Sequence, residues 1–167
     1  MRLDLIVNTM FKSALRDGLI TVNNPAIWRP VLSTHDAASA YIRALEASPA
    51  ISGIFNIASG NYTVGEAADM VKMALERERG GKIGLTIKHV HDFRNYKVSI
   101  RKAENILSFH PHDDVTSIVG DLLANRARFE DWDNPLYYNI EAFKKVEAAG
   151  PAEEVSRLES REVRVRG

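Results

Sequence analysis

A chain of 167 residues, 45% hydrophobic and 26% charged, is long enough to bury a proper core and has the composition of an ordinary globular protein. Lysine plus arginine and aspartate plus glutamate number 22 each, so the net charge is zero; this argues against a nucleic-acid binder and against a polybasic membrane surface. There is no cysteine, which excludes disulfides, thiolate catalysis and cysteine-ligated metals and is compatible with a cytoplasmic setting.

No run approaches the roughly 18 apolar residues of a membrane span. Met1-Arg2-Leu3-Asp4-Leu5 lacks the basic-then-apolar layout of a signal peptide, and the chain starts almost inside a helix, as expected of a domain that begins mid-protein. Leu3, Ile6, Val7, Met10 and Ala14, flanked by Phe11 and Leu15, share one face at helical spacing, and Gly18 supplies the stop. Leu19 to Val22 reads as a strand, Asn23-Asn24-Pro25 as a turn, and Trp28 to Leu32 as a second extended run.

Thr34 or Asp36 is placed to cap a helix with Ala37, Ala40, Tyr41, Ala44 and Leu45 on one face, ended by Ser48-Pro49. Gly53 to Ala58 is a short apolar strand. Thr63 with Glu66 forms a capping box that opens a helix carrying Val64, Ala67, Val71, Ala74 and Leu75. Gly80-Gly81 breaks it, and Gly84 to Val90 alternates as a strand does. A polar loop, an extended Tyr96–Ser99 and three helices follow, near Arg101–Leu107, Val115–Leu123 and Ile140–Ala148.

The reading is one small mixed α/β domain over 1–149 and a polar, mobile tail over 150–167, where Val163 and Val165 alternate as an edge strand would. The strands are too few for a complete doubly wound nucleotide-binding sheet.

Two arginines carry the chemistry. Arg29 and Arg94 each stand where a loop meets an extended run, and a guanidinium's planar donors match phosphate oxygens in pairs. Two such forks on one small domain suit a diphosphate. The competing reading of Arg29 is a stack on the adjacent Trp28, and that of Arg94 an ion pair with Asp92. His89 and His91 end a strand without a third ligand, and proline interrupts His110-Pro111-His112, so no metal site is expected. Asp113-Asp114-Val115 reads as a helix start that sets its acids against the dipole. Asp131 to Pro135 reads as a loop anchored by Trp132.

In order, the chain offers Arg2 to Asn8, Leu19 to Val22, Trp28-Arg29-Pro30, Asp36 at a helix start, Gly53 to Gly60 leading to Asn61-Tyr62-Thr63-Val64, and Arg94-Asn95-Tyr96 before a lysine-bearing helix. From Leu3 to about Phe109 this series resembles the C-terminal, substrate-binding lobe of the extended short-chain dehydrogenase/reductase family, the NAD-dependent sugar-nucleotide epimerases and dehydratases. The resemblance implies a small mixed α/β lobe without the N-terminal Rossmann sheet. It assigns Arg29 and Arg94 to the diphosphate and Asn8, Leu19 and Thr21 to the nucleotide end, with Phe55-Asn56-Ile57 as scaffold.

The sequence departs from that family in two places. No Gly-x-x-Gly-x-x-Gly turn occurs, and Gly80-Gly81-Lys82-Ile83-Gly84 follows a helix at the wrong spacing. The family's catalytic tyrosine stands four residues before a lysine, whereas Tyr41, Tyr62, Tyr96, Tyr137 and Tyr138 meet Leu45, Glu66, Ile100, Glu141 and Ala142 at that distance.

The expected role is therefore a sugar-nucleotide-binding lobe of an NAD-dependent epimerase/dehydratase, without its own cofactor half, its Tyr–Lys pair or turnover by itself; NAD is implied for the complete enzyme and no cofactor for this chain. The alternatives are a non-catalytic nucleotide- or protein-binding module, or one chain of a split epimerase. Expected partners are a nucleotide-diphosphate sugar and either a separate Rossmann-half chain or a second copy, with neither nucleic acid nor membrane involved. Leu3, Val7 and Phe11 are where an exposed, pairing face is expected.

Overall fold

The computed structural model describes residues 2–91 and 94–148. They belong to two units: a larger one, Ile6–Arg128, and a smaller one that brings residues 2–5 together with the segment beginning at Phe129.

In the larger unit, Val7, Met10, Phe11 and Ala14 recur at i, i+3, i+4 and i+7 and form the buried face of α1 (Ile6–Asp17). Gly18 ends it with φ 64°, donating to the Ala14 carbonyl at 3.1 Å. β1 (Leu19–Asn23) follows at once and buries only Ile20 and Val22. β2 (Trp28–Val31) then leads into α2 (Thr34–Glu46), which Ser33 caps by accepting from the Asp36 amide. β3 (Gly60–Thr63) pairs antiparallel with β2, placing Arg29 opposite Tyr62 and Pro30 opposite Asn61.

Thr63 starts α3 (Val64–Arg79) with both bonds of the capping box in place, and Gly80 closes it at φ 69°. β4 (Gly84–Lys88) returns parallel beside β1, Ile20 level with Leu85 and Val22 with Ile87. α4 (Arg101–Leu107) and α5 (Val115–Ala124) complete the unit, and Asp114 caps α5.

The main core is where α3 packs against α1, α5 and β1. Ala67, Ala68, Val71, Ala74 and Leu75 of α3 meet there the apolar faces of α1 and of α5, whose buried residues are Val115, Val119 and Leu122. A second cluster, Ala40, Ala103, Leu107 and Phe109 with Phe55, Ile57 and Ile100 against it, joins α2 to α4.

In the smaller unit Leu3 is buried and donates to the Tyr137 carbonyl at 2.8 Å, while the Asn139 amide donates to Asp4. Phe129 meets Trp132 edge-on at 6.0 Å, so the Asp131–Pro135 turn is anchored by its tryptophan. Residues 139–148 are helical. The tail read at 150–167 lies outside the described residues.

Four expectations need correction. The cap of α2 is Ser33 rather than Thr34 or Asp36. Gly53 to Ala58 is not a strand: the strand falls later, at Gly60–Thr63, and among the described residues no backbone hydrogen bond reaches Phe55 through Ala58. Local sequence makes a segment extended, but a strand also needs a neighbour to pair with.

The Tyr41/Leu45 stripe of α2 is not the packed face either. The helix buries Asp36 and Ala40, while Tyr41 is 72% and Leu45 85% exposed. The buried hydrogen bonds of Asp36 rotate the packed face toward Asp36 and Ala40 and leave Tyr41 and Leu45 outside it. Finally, Leu3, Val7 and Phe11 are not an open face; all three are buried.

A candidate anion-binding edge

β2 is short, half-buried and runs beside residues 94–98, which approach it without forming a regular strand. The Trp28 amide donates to Asn95 Oδ1 at 2.9 Å, and the Tyr96 amide donates to the Trp28 carbonyl at 3.4 Å. One Arg29 nitrogen, Nη1, donates to the Trp28 carbonyl at 2.9 Å and also to the Arg94 carbonyl. The main chain of Arg94 thus lies against the Arg29 guanidinium.

Two of the cations here have an aromatic neighbour. Arg29 lies over the Tyr96 ring at 5.9 Å, and Lys97 Nζ sits 3.3 Å above the Trp28 indole. The sequence reading paired Arg29 with Trp28; the indole in fact takes Lys97, because the neighbouring run crosses it. Asp92, the expected partner of Arg94, lies outside the described residues.

The other candidate residues stand elsewhere. Asn8 is half-buried on α1, and Leu19 and Thr21 are on the open face of β1, in the parallel sheet rather than the antiparallel one. Lys97, Asn95 and Asn61 were not foreseen, since their partners are sequence-distant: 67 residues separate Trp28 from Asn95.

Below this edge lies a buried carboxylate. Asp36 is 2% exposed and accepts from Ser59 Oγ at 2.5 Å, from the His112 amide at 2.9 Å and from the Asp113 amide at 3.2 Å. Burial raises its pKa, but the Ser59, His112 and Asp113 bonds outweigh that and leave it below the ordinary carboxylate value. Ser59 also accepts from the Ser33 amide and donates its own amide to Val31 at the end of β2. One hub therefore ties β2, β3, α2 and the 112–113 loop together. Opposite Arg29, burial and then the charges of Asp114 and Glu66 push the Tyr62 phenol upward, so it stays protonated.

The starts of α2, α3 and α5 do not suit a dinucleotide's pyrophosphate. At α3 the Val64 and Gly65 amides donate to Ile27 and Pro25 and the Glu66 amide to Thr63, with the Glu66 carboxylate folded over the same end. Asp36 and Asp114 bring acids to the starts of α2 and α5 in the same way. NAD therefore finds no fitting cradle at these helix starts, and no step through it is derived.

Among the described residues no three histidines or carboxylates converge on a metal position, and no helix is long and apolar enough to cross a membrane. A shallow cavity of about 260 Å³ lies at the ends of α2 and α4, lined by Arg43, Ala47, Ile51 and Ile106 among others, and includes none of the edge residues.

The fold has known counterparts. The chain superposes on UDP-glucuronic acid 4-epimerase from Bacillus cereus, solved with UDP-glucuronic acid and NAD, with a TM-score of 0.60 and 18% identity over 72% of this chain and 38% of that one. On dTDP-glucose 4,6-dehydratase from Bacillus anthracis, solved with NAD, the TM-score is 0.62 at 18% identity, covering 79% of this chain and 42% of that one. UDP-N-acetylglucosamine 4-epimerase from Bacillus cereus gives 0.58 at 27% identity, covering 72% and 39%.

These are extended short-chain dehydrogenase/reductase proteins, and the small mixed α/β fold of this chain is that of part of such an enzyme. The chain spans about two-fifths of their length. No family model matches the sequence, and no curated relative does.

Proposed function

We propose that this domain holds the diphosphate of a sugar nucleotide for an NAD-dependent epimerase or dehydratase, with Arg29 and Arg94 as the phosphate-binding forks. The observation that carries this reading is the contact of the Arg29 guanidinium with the main chain of Arg94, which gathers both residues and Lys97 at one strand edge. Asn8, Leu19 and Thr21 are assigned to the nucleotide end, and a cytoplasmic setting belongs to the same reading.

The domain's contribution is orientation. Fixing the diphosphate leaves the sugar one direction to point, and such pre-paid positioning supplies several kcal/mol of a barrier. The hydride chemistry comes from residues outside this sequence, since it holds neither a tyrosine four before a lysine nor a Gly-x-x-Gly-x-x-Gly turn.

Isothermal titration with uridine, thymidine, guanosine and cytidine diphosphate sugars tests the reading. Saturable binding of at least one, clearly weakened in Arg29→Ala, is expected. Absence of binding to all four sinks it.

One observation favours a second body beside this one. Phe55 to Ala58 carry backbone groups without partners among the described residues, Ile54 is 87% exposed, and the α2 side presenting Tyr41, Ile42 and Leu45 is open. Unpaired backbone groups are what a neighbouring sheet edge covers, and an open apolar helix side is what a partner surface covers. In this second reading the chain acts with a separate chain carrying the cofactor half, with a second copy, or as a non-catalytic binding module. Restored epimerase or dehydratase turnover on mixing separates the split enzyme from the module.

A further inference from the structure

Residues 94–98 reach β2 without a strand ladder, so something else must set their position. We propose that Asn61 is a positioning residue for the anion-binding edge, its side-chain amide taking the place of a missing backbone rung. The inference rests on the functional reading above only for its effect on ligand.

Asn61 stands on β3 opposite Pro30, a residue with no amide hydrogen to offer a neighbour. Its side chain turns to the other run and makes both bonds that a peptide group would make. Oδ1 accepts from the Val98 amide at 2.9 Å, and Nδ2 donates to the Val98 carbonyl at 3.0 Å. A primary amide is the side-chain group that presents one acceptor and one donor with the peptide's own spacing.

Asn95 holds the other end, its Oδ1 accepting from the Trp28 amide at 2.9 Å. The main-chain bond between them, Tyr96 to Trp28, is long at 3.4 Å. The clamps at Asn95 and Val98 bracket Tyr96 and Lys97, which fixes Lys97 above the Trp28 indole and Tyr96 beside Arg29. Removing the Asn61 amide frees the Val98 end, and the run is then held only from its start, by Asn95, the long Tyr96–Trp28 bond and the Arg29 contact with the Arg94 carbonyl. Lys97 then leaves the indole and Tyr96 moves off Arg29, although neither cation has been mutated.

The same device recurs where β4 ends. Asn24 Nδ2 donates to the Val90 carbonyl at 2.7 Å and Oδ1 accepts from the Val90 amide at 3.0 Å. Two side-chain amides, on the turn after β1 and on β3, thus grip the same stretch of chain at separate points.

The test compares the unmodified chain with Asn61→Ala. In proton NMR, the Lys97 ε-methylene lies over an indole and is displaced upfield by its ring current; Asn61→Ala is expected to abolish that displacement while core methyl shifts stay in place. In titration with the diphosphate sugar that binds best, affinity falls about fivefold, the worth of about one lost hydrogen bond.

Asn61→Asp, which keeps the acceptor for Val98 and loses the donor, retains part of the ring-current displacement. It also carries the NMR test if the alanine variant fails to fold. A full displacement in the folded variant overturns the proposal, as does unchanged affinity once the displacement is gone. Should the unmodified chain bind no diphosphate sugar, the functional reading fails, and the NMR comparison alone decides on Asn61.

Discussion

Arg29 donates to the main-chain carbonyl of Arg94, 65 residues further along, and so one guanidinium both marks the strand edge and fastens the run that brings the second one. That arrangement makes the nature of the side chain matter beyond its charge. A guanidinium presents five donors in a fixed planar fork, whereas an ammonium offers three from a single point.

Arg29→Ala should therefore weaken diphosphate-sugar binding about ten- to a hundredfold, the range for a charge-assisted hydrogen bond. Arg29→Lys should restore little of it, although the charge is kept. Titration of the three proteins side by side checks both statements. Full recovery by lysine would show that charge alone, and not the fork, is read.

Asp36 predicts an acid-sensitive fold. Its carboxylate is buried and satisfied by a hydroxyl and two amides, and its pKa is lowered in the folded state despite burial. A lowered folded-state value means the stabilisation is present above the unfolded carboxyl's value, near 3.9, and is lost as pH falls through the folded value below it. Asp36→Asn should flatten the acid limb of the stability curve below about pH 4. At neutral pH Asp36→Ala should cost about 3 kcal/mol, because three donors lose their acceptor in a buried place. Urea unfolding at a series of pH values reads both effects.

The elements that were legible before any coordinates are those whose signals are local. The Thr63/Glu66 capping box, the Gly18 and Gly80 stops and the i, i+3, i+4 apolar faces of α1 and α3 each involve residues within a turn or two. What was illegible depends on distant partners. Gly53 to Ala58 has strand residues but no neighbour to make it a strand. The orientation of α2 follows from Asp36 meeting Ser59 and the 112–113 amides, 23 and 76–77 residues away. At the candidate site, periodicity exposed the arginine-bearing runs but not Lys97 over Trp28, which exists only because the run crosses β2.

Thr63→Ala should lower stability by about 1 kcal/mol, the usual worth of an N-cap side chain, since the Glu66 amide then loses its acceptor. Thr63→Ser, which keeps the hydroxyl, should lose much less. Urea midpoints with unchanged slopes are the measurement, and equal losses in both variants would assign the effect to the methyl group and to packing.

The open face of α2 predicts association. Tyr41, Ile42 and Leu45 sit in solvent on one helix, and exposed apolar surface of this kind is usually covered. Light scattering of the chain at micromolar to millimolar concentration should show self-association that Leu45→Glu reduces. Because Leu45 is 85% exposed, that substitution should leave stability within about 0.5 kcal/mol, so a change in mass cannot be ascribed to unfolding. A monodisperse monomer in both proteins would mean that the open side of α2 stays wet, and would remove the physical reason for placing a second body there.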